Sequence, residues 1–289
     1  MMGIFSNKTA IITGGASGIG AALAQELARR GAIIILADIN AELLGDTAAS
    51  IINAGGKAKA VTLDVTDYDA VKKLVDDIVS EYGSLDYLFN NAGVVVFAEA
   101  RDYDYMDDWR KIIDVDLYGP VNGVAAAYPV MVKQGGGHIV NTASLAGLMP
   151  CEPLCSYTAA KHGVVGLSLT LRMEGADLGV KVSVVCPGLI QTPMYNARMI
   201  KLDQKKLLKV VPKGMPPEKC AREILRGVER NKPIIVVTFP AKLYWILYRI
   251  SPSMMLWSGI KFVGYLRKKF RIEHPSQVDS MRDQLTIRC

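Results

Sequence analysis

A glycine-rich turn between a buried strand and a helix is the feature that most constrains how this 289-residue chain folds. Residues 8–13, KTAIIT, predict a strand, and the following TGGASGIGAALAQELARRG predicts a turn and then an amphipathic helix. Glycines permit a tight turn and let backbone amides approach a phosphate at the helix N-terminus, where unpaired N–H groups favour anions. A second apolar run, AIIILA at 32–37, completes a strand, helix, strand unit. This segment therefore predicts a dinucleotide-binding unit.

The second strand ends in Asp38, eighteen residues after Gly20. A carboxylate at this strand end can accept both hydroxyls of an adenosine ribose, whereas it would repel a 2′-phosphate. No arginine or lysine offsets that charge at Gly15, Ala16, Ile39 or Asn40. The sequence therefore favours NAD over NADP.

Apolar runs alternate with helical patterns along the rest of the first 240 residues. They predict further strands at 57–63, 85–89, 138–141, 180–185 and 234–238. Strands that alternate with helices at this spacing form a doubly wound parallel sheet, with ligands at the carboxyl ends of the strands. We therefore expect an α/β, Rossmann-like domain over residues 1–240, followed by a helical tail over residues 241–289.

The predicted strand ends supply the candidate cofactor-binding residues. Asp64 and Val65 would bracket an adenine, and the NNAG segment at 90–93 suits a backbone that passes under a ligand. Ile190 and Thr192 would meet the carboxamide of a nicotinamide. The full set comprises Gly14, Ser17, Gly18, Ile19, Gly20, Asp38, Ile39, Asp64, Val65, Asn90, Ala92, Gly93, Tyr157, Lys161, Pro187, Gly188, Ile190 and Thr192.

The segment SLAGLMPCEPLCSYTAAK at 144–161 carries the candidate catalytic groups. If a helix begins here, Tyr157 and Lys161 stack on one face, and the ammonium favours ionisation of the phenol. The phenol could then exchange a proton with an alcohol or ketone. Ser144 follows a predicted strand and would hydrogen-bond the substrate oxygen. A Tyr-x3-Lys spacing alone is also a common accident on amphipathic helices, so its weight comes from the other motifs.

With the glycine turn, Asp38, NNAG, Ser144, Tyr157-x3-Lys161 and PGLIQT at 187–192 in this order, the chain strongly resembles the short-chain dehydrogenase/reductase family. The resemblance covers roughly residues 5–240. It implies that Tyr157 is the acid/base, that Lys161 lowers its pKa and holds the nicotinamide ribose, and that Ser144 orients the substrate. It also implies a homodimer or homotetramer.

One residue departs from the family pattern. The family usually has an asparagine, whose main-chain carbonyl holds a water of a proton relay, where this chain has Asp116. If only the carbonyl matters, aspartate is tolerated there. A buried carboxylate near Lys161 would instead stabilise the ammonium and change the coupled titration. We therefore include Asp116 among the candidate catalytic residues.

Apolar residues dominate the segments that would border the substrate. The predicted pocket is formed by Val94, Val95, Val96, Phe97, Met149, Cys151, Cys155 and Met194. Residues 195–217, with Lys201, Lys205, Lys206 and Lys209 among methionine, leucine and valine, predict a mobile helical lid. A lipophilic substrate such as a steroid, retinoid, prostanoid or fatty-chain alcohol would suit such walls.

Five scattered cysteines without a CxxC pair argue against disulfides and against a zinc site. His162 would point about 100° away from Lys161 on a helix, and it has no second ligand at coordinating spacing. We therefore expect no metal. The N-terminal residues enter a strand without a long apolar run, so the sequence predicts no signal peptide and a cytoplasmic location.

The net charge of +6 lies entirely in residues 241–289, which hold nine lysines and arginines against three acidic residues. No nucleic-acid module accompanies this charge. In residues 241–271, Leu243, Ile246, Leu247 and Ile250 share one helical face, whereas Arg249, Pro252 and Lys261 interrupt any membrane span. The pattern fits an interfacial helix pair on the cytoplasmic face of a membrane, and it fits equally an arm that covers the pocket or a subunit interface. Residues 272–289 predict a polar, frayed terminus.

These observations favour an oxidoreductase that transfers a hydride between NAD and a secondary alcohol or ketone. The alternative is a cofactor-binding scaffold, at a membrane or in an oligomer, whose catalysis is impaired through Asp116.

Overall fold

The computed structural model describes residues 3–272. Within this range seven parallel strands form one sheet in the order β3-β2-β1-β4-β5-β6-β7. The strands are β1 (Thr9–Thr13), β2 (Ile33–Asp38), β3 (Lys57–Thr62), β4 (Tyr87–Asn90), β5 (Gly137–Thr142), β6 (Val180–Pro187) and β7 (Ile234–Val237). The predicted doubly wound sheet is confirmed, and the predicted strand limits differ from the observed ones by one or two residues.

Helices cover both faces of the sheet in the described part of the chain. They are α1 (Gly18–Arg29), α2 (Ala41–Asn53), α3 (Tyr68–Tyr82), α4 (Lys111–Ile113), α5 (Gly119–Lys133), α6 (Cys155–Gly175), α7 (Gln204–Leu208), α8 (Pro217–Glu229), α9 (Phe239–Ile250) and α10 (Pro252–Phe270). Leu27 of α1 and Ile224 of α8 belong to the core on one face, whereas Val75 of α3 and Met131 of α5 belong to the core on the other.

The strand order reverses between β1 and β4, which lie side by side in the centre of the sheet. In doubly wound sheets this reversal opens a crevice at the carboxyl ends of the strands, because the following connections leave toward opposite faces. The glycine turn after β1 and the segment after β4 border this crevice. The fold therefore places the predicted ligand-binding residues at one edge of the sheet.

Two helical segments of the described chain are interrupted. In the first segment, π-helical turns occur at Tyr105–Arg110 and Asp114–Tyr118 before α5 begins. The tail forms two helices, α9 and α10, joined at Ser251, where Pro252 begins the second helix. The predicted frayed terminus lies outside the described residues, apart from Ile272. No helix of the described chain is both long and apolar enough to cross a bilayer.

Candidate active site

Tyr157 and Lys161 lie one turn apart on α6, and both side chains are buried. The four-residue spacing puts them on the same face of the helix, with the Lys161 ammonium 5.5 Å from the centroid of the Tyr157 ring. The ammonium also donates a hydrogen bond of 3.1 Å to the carbonyl of Thr142, the last residue of β5. The sheet edge and α6 together therefore fix the position of the cation beside the phenol.

Ser144 follows β5 and lies in the same region. Its hydroxyl oxygen accepts a hydrogen bond of 3.1 Å from the backbone N–H of Ala146 at the start of a short 3₁₀ turn. The Ser144 hydroxyl also interacts with the phenol of Tyr157, and this hydrogen bond works to lower the pKa of Tyr157. The structure thus brings together the three side chains that the sequence singles out.

The pKa of Tyr157 lies above the ordinary range of a phenol in this structure. Burial is the main cause, and the nearby Asp116 carboxylate raises the pKa further because a second negative charge disfavours phenolate. The sequence-based expectation of a lowered pKa is therefore wrong for the protein alone. Its physical reason is that burial disfavours the charged phenolate, and the negative charge of Asp116 adds to this effect on the pKa of Tyr157.

Asp116 lies in the second π-helical turn and is fully buried. One carboxylate oxygen accepts a hydrogen bond of 2.8 Å from the backbone N–H of Val94 and lies 3.8 Å from the Lys161 ammonium. The other oxygen has no hydrogen-bond partner in the described chain. Burial raises the pKa of Asp116 to about 6, against the opposing effects of Lys161 and the Val94 N–H. The carboxylate thus links the segment after β4 to α6.

Gly93 makes this arrangement possible. A Cβ atom there would lie 2.9 Å from the Asp116 carboxylate and 3.4 Å from the Lys161 ammonium. The sequence indicates that Gly93 lies under a ligand, but it gives no sign of this contact with Asp116.

The glycine turn has the shape that an anion-binding helix start requires. Gly14 and Gly18 adopt left-handed backbone conformations, with φ of +65° and +55°. A Cβ atom on Gly20 would lie 2.0 Å from the carbonyl oxygen of Gly14, so only glycine fits there. Ser17 begins α1 without a side-chain cap, which leaves the first-turn amides, including that of Ile19, to a ligand. These residues fit the pyrophosphate of a dinucleotide.

Asp38 ends β2 beside this turn. Its two carboxylate oxygens accept hydrogen bonds from the backbone N–H groups of Ala16 (3.1 Å) and Asn40 (3.0 Å). Each oxygen retains a lone pair for a ribose hydroxyl. The neighbouring Ile39 side chain is 70% exposed. The carboxylate is thus held in place at the strand end, as ribose binding requires.

The predicted adenine site combines a buried apolar residue, Val65, with an exposed acidic residue, Asp64. Val65 is buried and supplies an apolar wall. Asp64 is exposed, and its carboxylate accepts hydrogen bonds from the N–H and hydroxyl of Thr66. The backbone carbonyl of Val65 accepts a hydrogen bond of 2.9 Å from Asn122.

Residues of the NNAG segment at 90–93 form hydrogen bonds both to β5 and to the end of β1. The Asn90 side chain is buried and donates a hydrogen bond to Asn141 of β5, so it braces the sheet. The sequence reasoning assigned no side-chain role to Thr13 or Asn91. The Thr13 hydroxyl accepts hydrogen bonds from the N–H groups of Asn91 (2.9 Å) and Ala92 (3.1 Å), which ties the two central strand ends together. The signal available in the sequence was a hydroxyl residue directly before Gly14.

The segment after β6 also lies beside the glycine turn. Pro187 ends the strand, and Gly188 fits closely because a Cβ atom there would lie 2.5 Å from the hydroxyl of Thr238. Ile190 is buried in the core. The Thr192 methyl carbon would lie 3.1 Å from a Cβ atom on Gly18. Thr192 therefore lies next to the turn that would hold the phosphates.

An apolar cluster surrounds the Tyr157 side chain. Its buried members are Val95, Ile112, Ala146 and Tyr157, and its partly buried members are Val94, Val96, Phe97, Tyr103, Cys151, Leu154 and Ala197. Cys155 begins α6 as an exposed residue, and Met194 is 37% exposed. The cluster contains most of the predicted pocket residues, together with Ile112 and Tyr103, which the sequence reasoning missed.

The predicted lid over 195–217 contains only one short helix, α7. Its first part is paired with the segment after β4, because Phe97 and Arg198 to Ile200 exchange two backbone hydrogen bonds of 2.9 Å. A cavity of about 510 Å³ lies between Thr192 and the later part of this segment, including Leu208 and Val211. The prediction of a helical lid over 195–217 is therefore wrong, because most of this segment is not helical.

Among the described residues, no group of three His, Cys, Asp or Glu side chains could hold a metal ion.

Comparison with known proteins yields consistent matches. Residues 8–202 match a family described as short chain dehydrogenase. The chain is 39% identical to cyclohexanol dehydrogenase from Acinetobacter sp. (strain SE19) over 202 residues, which cover 68% of this chain and 80% of that protein. It is 40% identical to meso-2,3-butanediol dehydrogenase from Serratia marcescens over 192 residues, covering 66% and 75% of the two chains.

A solved structure shows the same fold. It is a short chain dehydrogenase/reductase from Burkholderia phymatum in complex with NAD, which is 31% identical to this chain. The superposition has a TM-score of 0.77 and covers 84% of this chain and 92% of the other.

Proposed function

Because the chain belongs to the short-chain dehydrogenase/reductase family, we propose that it interconverts a lipophilic secondary alcohol and its ketone with NAD as cofactor. Family membership makes it an NAD(P)-dependent oxidoreductase that acts on CH–OH groups. The observation that carries the proposal is the convergence of the Ser144 hydroxyl, the Tyr157 phenol and the Lys161 ammonium at the end of β5.

The three side chains suit proton exchange with a substrate oxygen. In alcohol oxidation the phenolate of Tyr157 takes the hydroxyl proton, and in ketone reduction the phenol returns it. The Ser144 hydroxyl donates a hydrogen bond to the same oxygen and orients it. The Lys161 ammonium stabilises phenolate and is available to the nicotinamide ribose. When bound, the nicotinamide supplies the hydride acceptor or donor.

Asp116 acts in this proposal as a positioning residue. It holds the Lys161 ammonium at 3.8 Å and fixes the Val94 N–H. The proposal assigns it a second effect, because its negative charge opposes ionisation of the phenol. The substitution of the usual asparagine therefore changes the pH dependence and preserves the reaction.

The environment of Asp38 supports the choice of NAD over NADP as the cofactor. The carboxylate is anchored by two backbone N–H groups, so it cannot turn away from a 2′-phosphate without losing both hydrogen bonds. No ion pair between Asp38 and a lysine or arginine occurs within residues 3–272. A second phosphate at this position would therefore face an uncompensated negative charge.

The apolar cluster around Tyr157 supports a lipophilic substrate. Its side chains come from the segment after β4, from the loop between Ser144 and Tyr157, and from the segment after β6. Polar substrates would leave their own hydrogen-bonding groups unpaired against such walls. The proposal thus covers hydrocarbon-rich alcohols and ketones, among them alicyclic, steroid, retinoid, prostanoid and fatty-chain compounds.

The proposal places a homodimer or homotetramer in the cytoplasm. The cytoplasm suits the free cysteines Cys151, Cys155, Cys186 and Cys220. Two exposed apolar side chains near the site support self-association. Met173 lies on α6, and Tyr118 ends the second π-helical turn.

A substrate panel with NAD and NADP tests the proposal. We expect turnover of alicyclic and long-chain secondary alcohols with NAD, and a loss on the order of 10²–10⁴-fold in kcat for Tyr157→Phe with NAD binding retained. The matched control is Tyr103→Phe, which removes a hydroxyl that donates to the Val96 carbonyl in the same cluster. NAD binding without turnover of any substrate would instead support the cofactor-binding scaffold, whose catalysis is impaired through Asp116.

A further inference from the structure

Helix α9 directs an apolar stripe outward. Phe239, Leu243, Ile246 and Ile250 recur at helical spacing, and their exposed fractions are 76, 45, 50 and 74%. Such a stripe normally faces a core. Here the inward side of α9 is instead the side of Ala241, which is buried against the body of the protein. The stripe is too continuous to be a scatter of single exposed residues.

Helix α10 has a similar outer face with a different composition. Trp257 and Ile260 are 62 and 70% exposed. The cations Lys261 and Lys268 follow Trp257 by four and eleven residues and therefore lie on the same side of the helix. The Lys261 ammonium is 5.7 Å from the Trp257 ring centroid. Aromatic rings beside cations are typical of segments that lie in a lipid headgroup layer.

The tail helices carry positive charge without internal compensation. Residues 239–272 contain no aspartate or glutamate. No carboxylate in the described chain forms an ion pair with Lys242, Arg249, Lys261, Lys268 or Lys269. These cations remain available to an external anion.

The C-terminal end of α10 is fixed to the body of the protein. Arg267 forms an ion pair of 2.8 Å with Glu99, and Arg271 forms one of 2.8 Å with Asp102. The backbone N–H of Asp203 donates a hydrogen bond of 2.8 Å to the carbonyl of Phe270, whose ring is buried. The exposed residues of α10 therefore belong to an ordered element, whose C-terminal end lies next to the segment that contributes Phe97 to the site.

We propose that this outer tail face, formed by the exposed apolar residues of α9 and α10 with their neighbouring cations, docks on an anionic lipid surface. The apolar side chains enter the headgroup layer, and the cations bind lipid phosphates. A second copy of the chain is a poorer occupant, because a twofold-symmetric contact would bring the same cations together. This docking is independent of catalytic turnover, so it can fail while the proposed oxidoreductase activity stands.

Vesicle co-sedimentation of the full chain tests the proposal. We expect the protein to pellet with vesicles of phosphatidylcholine and phosphatidylglycerol, to pellet weakly with phosphatidylcholine alone, and to be released by added salt. Two double variants should each bind these vesicles about tenfold or more weakly than the wild type. One is Trp257→Ser with Ile260→Ser, and the other is Lys261→Glu with Lys268→Glu.

Matched substitutions elsewhere on the surface provide the controls. Leu43→Ser with Ile52→Ser removes two exposed apolar residues from α2, and Lys133→Glu with Lys219→Glu reverses two exposed charges outside the tail. Both controls should bind like the wild type, and thermal unfolding should show that all four variants fold. Equal pelleting of tail and control variants would overturn the proposal. So would self-association without vesicles that the Trp257 and Ile260 substitutions abolish, because a second copy would then cover the face.

Discussion

The Lys161 ammonium lies 3.8 Å from the Asp116 carboxylate, and both side chains are buried. The same carboxylate oxygen accepts the Val94 N–H, so one acidic group holds both the catalytic helix and the segment after β4. Burial is the main cause of the raised pKa of Tyr157, and Asp116 raises this pKa further, so the carboxylate influences both the ionisation of the phenol and the position of the lysine.

Replacement of Asp116 by asparagine should shift the pH dependence of alcohol oxidation. Oxidation requires phenolate, and removal of the neighbouring negative charge favours that form, while an asparagine oxygen can still accept the Val94 N–H. We expect kcat/KM of Asp116→Asn to reach its plateau at lower pH, with a gain on the order of tenfold at neutral pH. Asp114→Asn, in the same π-helical turn but partly exposed, should keep the wild-type profile. Superimposable profiles for Asp116→Asn and wild type would show that the carboxylate has no part in the reaction.

The same substitution should change the pH dependence of stability. The folded-state pKa of Asp116 is raised from 3.8 to about 6, so the folded protein keeps a proton that the unfolded chain has lost. The stabilisation from this protonation is complete below the unfolded-state pKa and disappears as pH rises through the folded-state pKa. Relative to wild type, Asp116→Asn should therefore gain on the order of 2–3 kcal/mol between about pH 4 and about pH 7. Urea unfolding at a series of pH values measures this gain, and a constant difference across the series would contradict it.

Much of the site follows from local rules that a sequence displays. The glycine turn, Asp38 and Ser144 each stand at a strand end, and parallel strands bring their carboxyl ends to one edge. The contact of Asp116 with the Val94 N–H does not follow in this way. It depends on a π-helical turn that alters which residue of the helix faces the sheet, and no simple periodicity encodes that turn.

The tail illustrates a second limit of periodicity. Leu243, Ile246 and Ile250 lie on one face of α9 as predicted, yet that face is exposed. Periodicity shows that an apolar face exists and leaves its direction open, because direction depends on long-range contacts. Here the contacts include the ion pair between Arg267 and Glu99, which are 168 residues apart.

Gly20 should tolerate no side chain. A Cβ atom there would overlap the Gly14 carbonyl, so Gly20→Ala must displace the turn that is proposed to hold the phosphates. We expect a loss of about 1–3 kcal/mol in the free energy of unfolding and a large loss of NAD affinity, measured by urea unfolding and by fluorescence titration. Gly45→Ala is the matched control, because it lies in α2 with no atom within 4 Å of the added Cβ, and it should stabilise the protein by about 0.5–1 kcal/mol. Equal behaviour of the two variants would show that the turn can relax without cost.

A cation beside Asp38 should widen the cofactor range. Ile39 is 70% exposed directly after this aspartate, so an arginine there can extend without a steric conflict and pair with a 2′-phosphate. We expect Ile39→Arg to raise kcat/KM with NADP on the order of tenfold while activity with NAD changes little, because the Asp38 carboxylate still binds the ribose hydroxyls. Ile52→Arg places the same side chain at an exposed position of α2 away from the strand end and should leave both cofactors unaffected. If the wild type already uses NADP as well as NAD, or if Ile39→Arg gains nothing with NADP, then the carboxylate does not govern the choice between the two cofactors.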